Sequence, residues 1–298
     1  MPELPDISVY LAALETRVVG HKLESIAVSS PFLLRTAEPP LPSVFGQRIQ
    51  SVRRLGKRLA FHFENGLWLV IHLMIAGRLH WFTRGTRVSG HKALARFEFD
   101  TGTLTLTEAG TQRRASLHVV SPERLKDHER GGLEVLEAGV DEFAQRLRGE
   151  SHTVKRALTD PTLFSGIGNA YSDEILHAAR LSPVLLTGKL TGEDIARLYR
   201  ATVDVLTWWT RKLREEAGDE FPEGVTAFRP DFAVHGRYGK PCPVCGTAVQ
   251  RIRYASNETN YCPRYQTGGK VLADRSLSRL LKADWPRSIE ELEERSRR

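Results

Sequence analysis

The change of hydrophobic period past residue 120, from strand to helix, narrows the choice of fold further than any other feature of this chain. Between about residues 23 and 120 the apolar residues come in short β-rich runs, at 47–55, 58–63, 67–75, 95–99 and 103–107. Glu64-Asn65-Gly66 and Asp100-Thr101-Gly102 punctuate them as tight turns, and the proline-rich stretch 33–43 reads as a loop. Past a charged segment at 121–132, closed by Gly131-Gly132, the period becomes helical. Strands grouped first and helices grouped after them predict an α+β chain, with a β-sandwich or barrel-like first domain.

The helices have legible ends. Residues 5–20 read as one helix: Pro5 suits a first turn and Asp6 the positive end of the dipole. Ile7, Leu11, Leu14 and Val18 make its apolar stripe, and Gly20 suits its stop. After the boundary, residues 141–148 form a short helix. Ser151 is positioned to cap a second one, carrying Val154, Ala157 and Leu158, which Pro161 and Gly166-Ile167-Gly168 break. Another runs from Asn169 to about residue 180. Thr191, with Asp194 three positions on, opens a long helix through Leu198, Val205, Trp209 and Leu213. Residues 214–230 read as loop. A cysteine-bearing unit reaches residue 268. A basic tail follows, in which Leu277, Leu280 and Leu281 with Arg275, Arg279 and Lys282 suggest an amphipathic helix and 290–298 a solvated one.

At 298 residues and 41% apolar content the chain is long enough for two cores. Lys and Arg outnumber Asp and Glu by 43 to 36, a balance that suits a polyanion partner such as nucleic acid. No apolar run reaches the roughly 18 residues of a membrane span, and the start lacks a secretory pattern. A cytoplasmic, nucleoid-associated protein is the expectation. All three cysteines lie between residues 242 and 262, which argues for a local metal site over a disulfide framework.

The chemistry begins at Met1-Pro2-Glu3-Leu4-Pro5-Asp6. Removal of Met1 turns Pro2 into a secondary amine beside a carboxylate. Such an amine attacks an aldehyde carbon to give an iminium, and Glu3 is placed as the general acid/base that reaction needs. The positive end of the following helix favours the neutral amine. The same six residues also suit an ordinary helix start. Further on, Gly166-Ile167-Gly168-Asn169 lets the backbone approach a phosphate, or merely turns the chain between helices. Cys242-Pro-Val-Cys245 and Cys262, with sixteen residues between them, have zinc-ribbon spacing.

Three blocks in this order, Pro2 to Asp6 with Leu55-Gly56-Lys57-Arg58, then Lys155 through Asn169 and Glu174 to Pro183, then the cysteine unit, resemble the formamidopyrimidine-DNA glycosylase / endonuclease VIII family over about residues 1–268. The resemblance implies a multidomain α+β enzyme: an N-terminal catalytic β-sandwich (1–125), a helix–two-turn–helix DNA-binding domain (135–235), a zinc-finger-like β-hairpin (236–268) and a basic helical tail (269–298). It implies a bifunctional DNA glycosylase and AP lyase of base-excision repair. Such an enzyme removes oxidised or ring-opened bases from duplex DNA as a monomer, nicks the strand by β- or β,δ-elimination, and uses no cofactor in catalysis. Carried over, Pro2 is the nucleophile, Glu3 the proton donor and Lys57 the hairpin lysine that contacts phosphate. Lys155 and Asn169 match phosphate-binding positions.

The chain departs from the family pattern at three places. Tyr265 stands where the fourth cysteine belongs, and a phenol that ionises near pH 10 is a poor zinc ligand. Structural zinc is held by Cys242, Cys245 and Cys262 with a weak fourth ligand, His235 being a remote candidate, or the hairpin folds without metal. Asn257 takes the place of a phosphate-clamping arginine, and a neutral amide cannot make that bidentate charged contact. Arg251 and Arg253 are the available substitutes, or else solvated surface charges. The wedge that fills the space left by a flipped base keeps Arg113 but has Ala115 for an aromatic, with Met74 or Ile75 to insert or to serve as strand core. These departures motivate an alternative: a damage-recognising DNA-binding protein of the same fold with little or no catalysis. A zinc-ribbon transcription factor would leave Pro2-Glu3 and the Gly-x-Gly-Asn block without purpose.

Overall fold

Pro5 and Asp6 do lie in the first turn of the first helix, which starts at Leu4, one residue before the expected limit, and ends at Val18, two residues short of Gly20. In the computed structural model, which describes residues 1–86, 93–109, 113–225, 228–254, 257–274, 278, 280 and 285–297, α1 spans Leu4–Val18. Glu3 and Asp6 form its capping box, the Asp6 carboxylate accepting the Glu3 N–H at 2.9 Å. The chain divides into two units. One comprises Met1–Gly131 and Trp208–Ala227, the other Gly132–Thr207 and Phe228–Arg298.

The first unit is a β-sandwich. Its strands are β1 (Leu23–Val28), β2 (Ile49–Leu55), β3 (Arg58–Phe63), β4 (Trp68–His72), β5 (Gly77–Phe82), β6 (Ala93–Phe99), β7 (Thr103–Glu108) and β8 (Ser116–Val120). They form two antiparallel four-stranded sheets, ordered β2-β3-β4-β8 and β1-β6-β7-β5. Alternate residues of each sheet meet in one core, Leu59, Phe61, Leu69, Ile71, Leu117 and Val119 from the first and Leu79, Ala95, Phe97, Phe99, Leu104 and Leu106 from the second. Ile7, Tyr10, Leu14 and Val18 of α1 join it. The other side of the first sheet carries a smaller cluster of Leu55, Ala60, Trp68, Val70, Val120 and Leu125. Strand β4 ends at His72, short of the expected residue 75, because the chain reverses in a turn closed by the Gly77 N–H on the Leu73 carbonyl at 2.9 Å, with Met74 at φ 52°. The segment 214–230 also differs from a free loop: its first residues continue a helix, and Phe221 and Val225 are buried in the sandwich core.

The second unit holds α2 (Val140–Arg148), α3 (Val154–Thr159), α4 (Asn169–Ala178) and the first part of α5 (Gly192–Ala217). Thr153, not Ser151, caps α3, its hydroxyl accepting the Arg156 N–H. Thr191 and Asp194 cap α5 reciprocally: the Asp194 N–H donates to the Thr191 hydroxyl at 3.1 Å and the Thr191 N–H to the Asp194 carboxylate at 3.0 Å. The hairpin β9 (Gln250–Tyr254) and β10 (Asn257–Tyr261) and the single turn α6 (Pro263–Thr267) follow. A last helix covers Ile289–Arg297, its acidic residues exposed and Ile289 buried. The amphipathic segment expected around residues 275–282 lies outside the described residues except at 278 and 280. Among the described residues no helix is long and apolar enough to cross a membrane.

Candidate functional site

The chain start, Glu3 and Lys57 share one neighbourhood of the sandwich unit. Pro2 is buried and Glu3 is 2% exposed at the head of α1. The β2–β3 turn delivers Lys57: Leu55 pairs with Arg58, Gly56 takes φ 61°, and the Arg54 guanidinium donates to the Gly56 carbonyl at 2.9 Å. Lys57 is half-buried by its surface, yet its ammonium end lies deep among protein atoms. That burial lowers its pKa, opposed by the Glu3 carboxylate. Burial also pushes the Met1 amine below its ordinary value of 8.0; Glu3 and Asp6 raise it, and Arg78 and Lys57 lower it.

Two loops flank this neighbourhood in the sequence of the same unit. The Leu73–Gly77 turn places Ile75 at 60% exposure while Leu73 is buried, and Arg78 braces it by donating to the Gly77 carbonyl at 2.7 Å. Arg113 is exposed. The adjoining backbone is held by Glu108, whose carboxylate accepts the Arg114 N–H at 2.9 Å and the Ala115 N–H at 3.0 Å. Ala115 itself lies in the sandwich core at 3% exposure. Glu108 was missed by sequence reasoning, since a glutamate ending a strand has no local signature of a clamp.

In the second unit Gly166, at φ 79°, makes the turn before α4, and Gly168 caps it. The Asn169 amide donates to the Glu258 carbonyl at 3.0 Å, tying this turn to β10. Lys155 is engaged beneath it. Its ammonium donates to the Asn169 carbonyl at 3.1 Å and the Ser172 hydroxyl at 3.0 Å and pairs with Asp173, which is fully enclosed. The other Asp173 oxygen meets the His235 ring at 2.8 Å and the Asn260 N–H at 3.1 Å. Glu174 accepts the backbone N–H groups of Ala233, Val234 and His235 at 2.7, 2.9 and 2.9 Å. The consecutive acids Asp173 and Glu174 thus fasten α4 to the hairpin region. Sequence reading had singled out only Glu174.

The hairpin register places Arg253 opposite Glu258 and Arg251 opposite Asn260. With side chains alternating along each strand, both arginines leave on the face away from Ile252 and Thr259, and Asn257 belongs to the face of those two. Arg251 pairs with Glu258 at 3.4 Å and lies over the Tyr238 ring at 4.2 Å. Arg253 and Asn257 are exposed.

The three cysteine sulfurs converge, all within 4.8 Å of one another, with Cys245 and Cys262 at 3.4 Å. This donor set fits a thiolate-bound metal. The Tyr265 hydroxyl is turned to Arg180, whose guanidinium donates to it at 2.7 Å.

Comparison with known proteins bears on both units. A model of the formamidopyrimidine-DNA glycosylase N-terminal domain matches residues 1–117, one of the formamidopyrimidine-DNA glycosylase H2TH domain matches 134–212, and one of the zinc finger found in FPG and IleRS matches 239–264. The formamidopyrimidine-DNA glycosylase of Exiguobacterium sibiricum is 32% identical over 278 residues, spanning 89% of this chain and 99% of that one. The chain belongs to the formamidopyrimidine-DNA glycosylase family. A formamidopyrimidine-DNA glycosylase-like protein of Mycobacterium tuberculosis is 42% identical over 151 residues, 51% of this chain and 94% of that one. The solved structure of the Lactococcus lactis glycosylase with an oxidised-pyrimidine DNA superposes with TM-score 0.78 at 26% identity, covering 89% of this chain and 100% of that one. MutM in complex with carbocyclic 8-oxo-G DNA gives the same score and coverage at 25% identity. The sandwich, H2TH helices and cysteine hairpin of the family are the elements described above.

Proposed function

We propose that this family member is a bifunctional DNA glycosylase and AP lyase of base-excision repair, acting on oxidised or ring-opened bases in duplex DNA. The observation that carries the reading is the convergence of the chain start, Glu3 and Lys57 in one buried neighbourhood at the head of α1. With Met1 removed, the Pro2 nitrogen is a secondary-amine nucleophile at the head of α1, where the positive helix end favours its neutral form. It bonds to the sugar carbon as the glycosidic bond breaks, while Glu3 supplies the proton that opens the sugar ring. The resulting iminium acidifies the neighbouring C–H, and loss of that proton expels the phosphate on the 3′ side. Flipping the base out costs a few kcal/mol. Phosphate contacts from Lys57, Arg113, the Asn169 turn and the hairpin residues Arg251, Arg253 and Asn257 offset that cost. Lys155 serves this binding as a positioning residue, since its ammonium is already held by Asp173. Ile75 is the wedge candidate. Zinc, where it is bound, is structural and held by Cys242, Cys245 and Cys262. The protein works as a monomer in the cytoplasm at the nucleoid, its parts dividing near residues 125, 135, 235 and 268.

Borohydride trapping on duplex DNA with an abasic site tests this. The expected result is a covalent adduct on Pro2 that disappears in Pro2→Gly. Tight binding without an adduct would replace the proposal with damage recognition without catalysis, a reading to which the exposed Asn257 lends support.

A further inference from the structure

We propose that His177, the buried histidine in the last turn of α4, is the fourth ligand of the cysteine site. This inference rests on the zinc reading above and goes beyond it. The imidazole Nε2 lies 3.3 Å from Cys242 Sγ, and the ring is 5% exposed. Among the described hydrogen bonds that sulfur is its one partner. Tetrahedral zinc with bonds of about 2.3 Å to sulfur and about 2.0 Å to nitrogen sets its ligands roughly 3.5–3.8 Å apart. The His177–Cys242 separation and the 3.4 Å between Cys245 and Cys262 are within a few tenths of an ångström of that, while His177 stands outside the set of ligand atoms that all lie within 4.8 Å of one another, so the imidazole must move closer to Cys245 and Cys262 when metal binds. Tyr265, which occupies the sequence position of the missing cysteine, is committed elsewhere. Its hydroxyl accepts from Arg180, the guanidinium lies 4.9 Å from its ring centroid, and the ring packs against His177 at 5.0 Å.

A Cys3His centre has two consequences here. The ligand comes from α4, so the metal would tie the helix that starts at Asn169 to the hairpin carrying Arg251 and Arg253, alongside the Asn169–Glu258 and Asp173–Asn260 bonds. With a neutral imidazole for a fourth thiolate, the centre is also one negative charge less anionic, which suits a surface that meets phosphates.

X-ray absorption at the zinc edge of the full-length protein, with metal content by mass spectrometry, tests the ligand set without mutation. Three sulfurs and one imidazole, visible by its outer-shell scattering, are expected. Absence of zinc overturns the zinc reading and this inference together; bound zinc without imidazole scattering overturns only this inference. His177→Ala is expected to weaken zinc retention against a chelator by about 100-fold or more, beyond the 10–100-fold typical of losing an outer partner of a ligand. Tyr265→Phe is expected to leave retention unchanged, and Tyr265→Cys added to His177→Ala to restore it. Unaltered retention in His177→Ala, or loss in Tyr265→Phe, also sinks the assignment. Should His177→Ala fail to fold, the absorption spectrum of the unmutated protein decides.

Discussion

Glu3 and Lys155 can each be separated by substitution into a structural and a proposed functional part. Glu3 both caps α1 and faces the chain start, so Glu3→Gln keeps an acceptor for the cap while removing the acid. Base excision in single-turnover assays should slow by about 10²–10⁴-fold, with trapping on a preformed abasic site retained; excision within a few-fold of the native rate would dismiss Glu3 as proton donor. Lys155 presents the opposite case, a cation expected from the sequence to meet phosphate whose ammonium is already occupied by Asp173. Lys155→Met leaves the enclosed Asp173 carboxylate short of its countercharge and should cost about 3 kcal/mol in urea unfolding, less than an isolated buried charge because His235 and Asn260 still donate. Adding Asp173→Asn should recover most of it. Weaker DNA binding at undiminished stability would make Lys155 a direct phosphate contact instead.

Among the elements, the Leu73–Gly77 turn is the one whose shape matters beyond its stability. A Cβ on Gly77 would stand 2.2 Å from the Leu73 carbonyl oxygen, so Gly77→Ala must shift backbone rather than a pliable side chain. A loss of about 2 kcal/mol is expected, with slower excision, since Ile75 would be displaced. Ile75→Ala is the control: at 60% exposure its removal should leave the thermal midpoint unchanged and still slow excision of a lesion within duplex DNA. Equal rates for Ile75→Ala and the native chain would remove Ile75 as the wedge. Strand β8 shows why this region was read incompletely. It pairs with β4 residue by residue, Val70 against His118, yet its five residues follow an arginine pair and an alanine that carry no strand signal.

For the molecule as a whole, the formal charge of +7 and the histidines of the first sheet act together. His72 and His118 are both held at about 4 against an ordinary 6.5, chiefly by burial. Cations then add to it, Arg58, Lys57, His118 and Arg130 at His72, and His128, Arg58 and Arg35 at His118. Because the folded values are depressed, the unfolded chain takes up these protons first as the pH falls. Their contribution is complete above about pH 6.5 and is lost between there and pH 4. With partial solvent screening, about 1–2 kcal/mol each is a reasonable scale. Urea midpoints should fall over that interval, and His72→Asn with His118→Asn should flatten the fall; an unchanged slope in the double variant would place the acid sensitivity elsewhere.

The sequence by itself determined the α+β class, the order of sandwich, helices and cysteine hairpin, most helix limits and the residue types at the chain start. These are properties of period, caps and turns, set by neighbours a few positions apart. Only the tertiary structure decided that Lys155 is a strut, that the hairpin arginines leave on the face opposite Asn257, that Ala115 packs into a core, and that Phe221 and Val225 belong to the sandwich. It alone brings His177 to Cys242 across 65 positions of sequence. Contacts of that kind are made by surfaces that meet after folding, and a meeting between distant residues leaves no period in the chain to read.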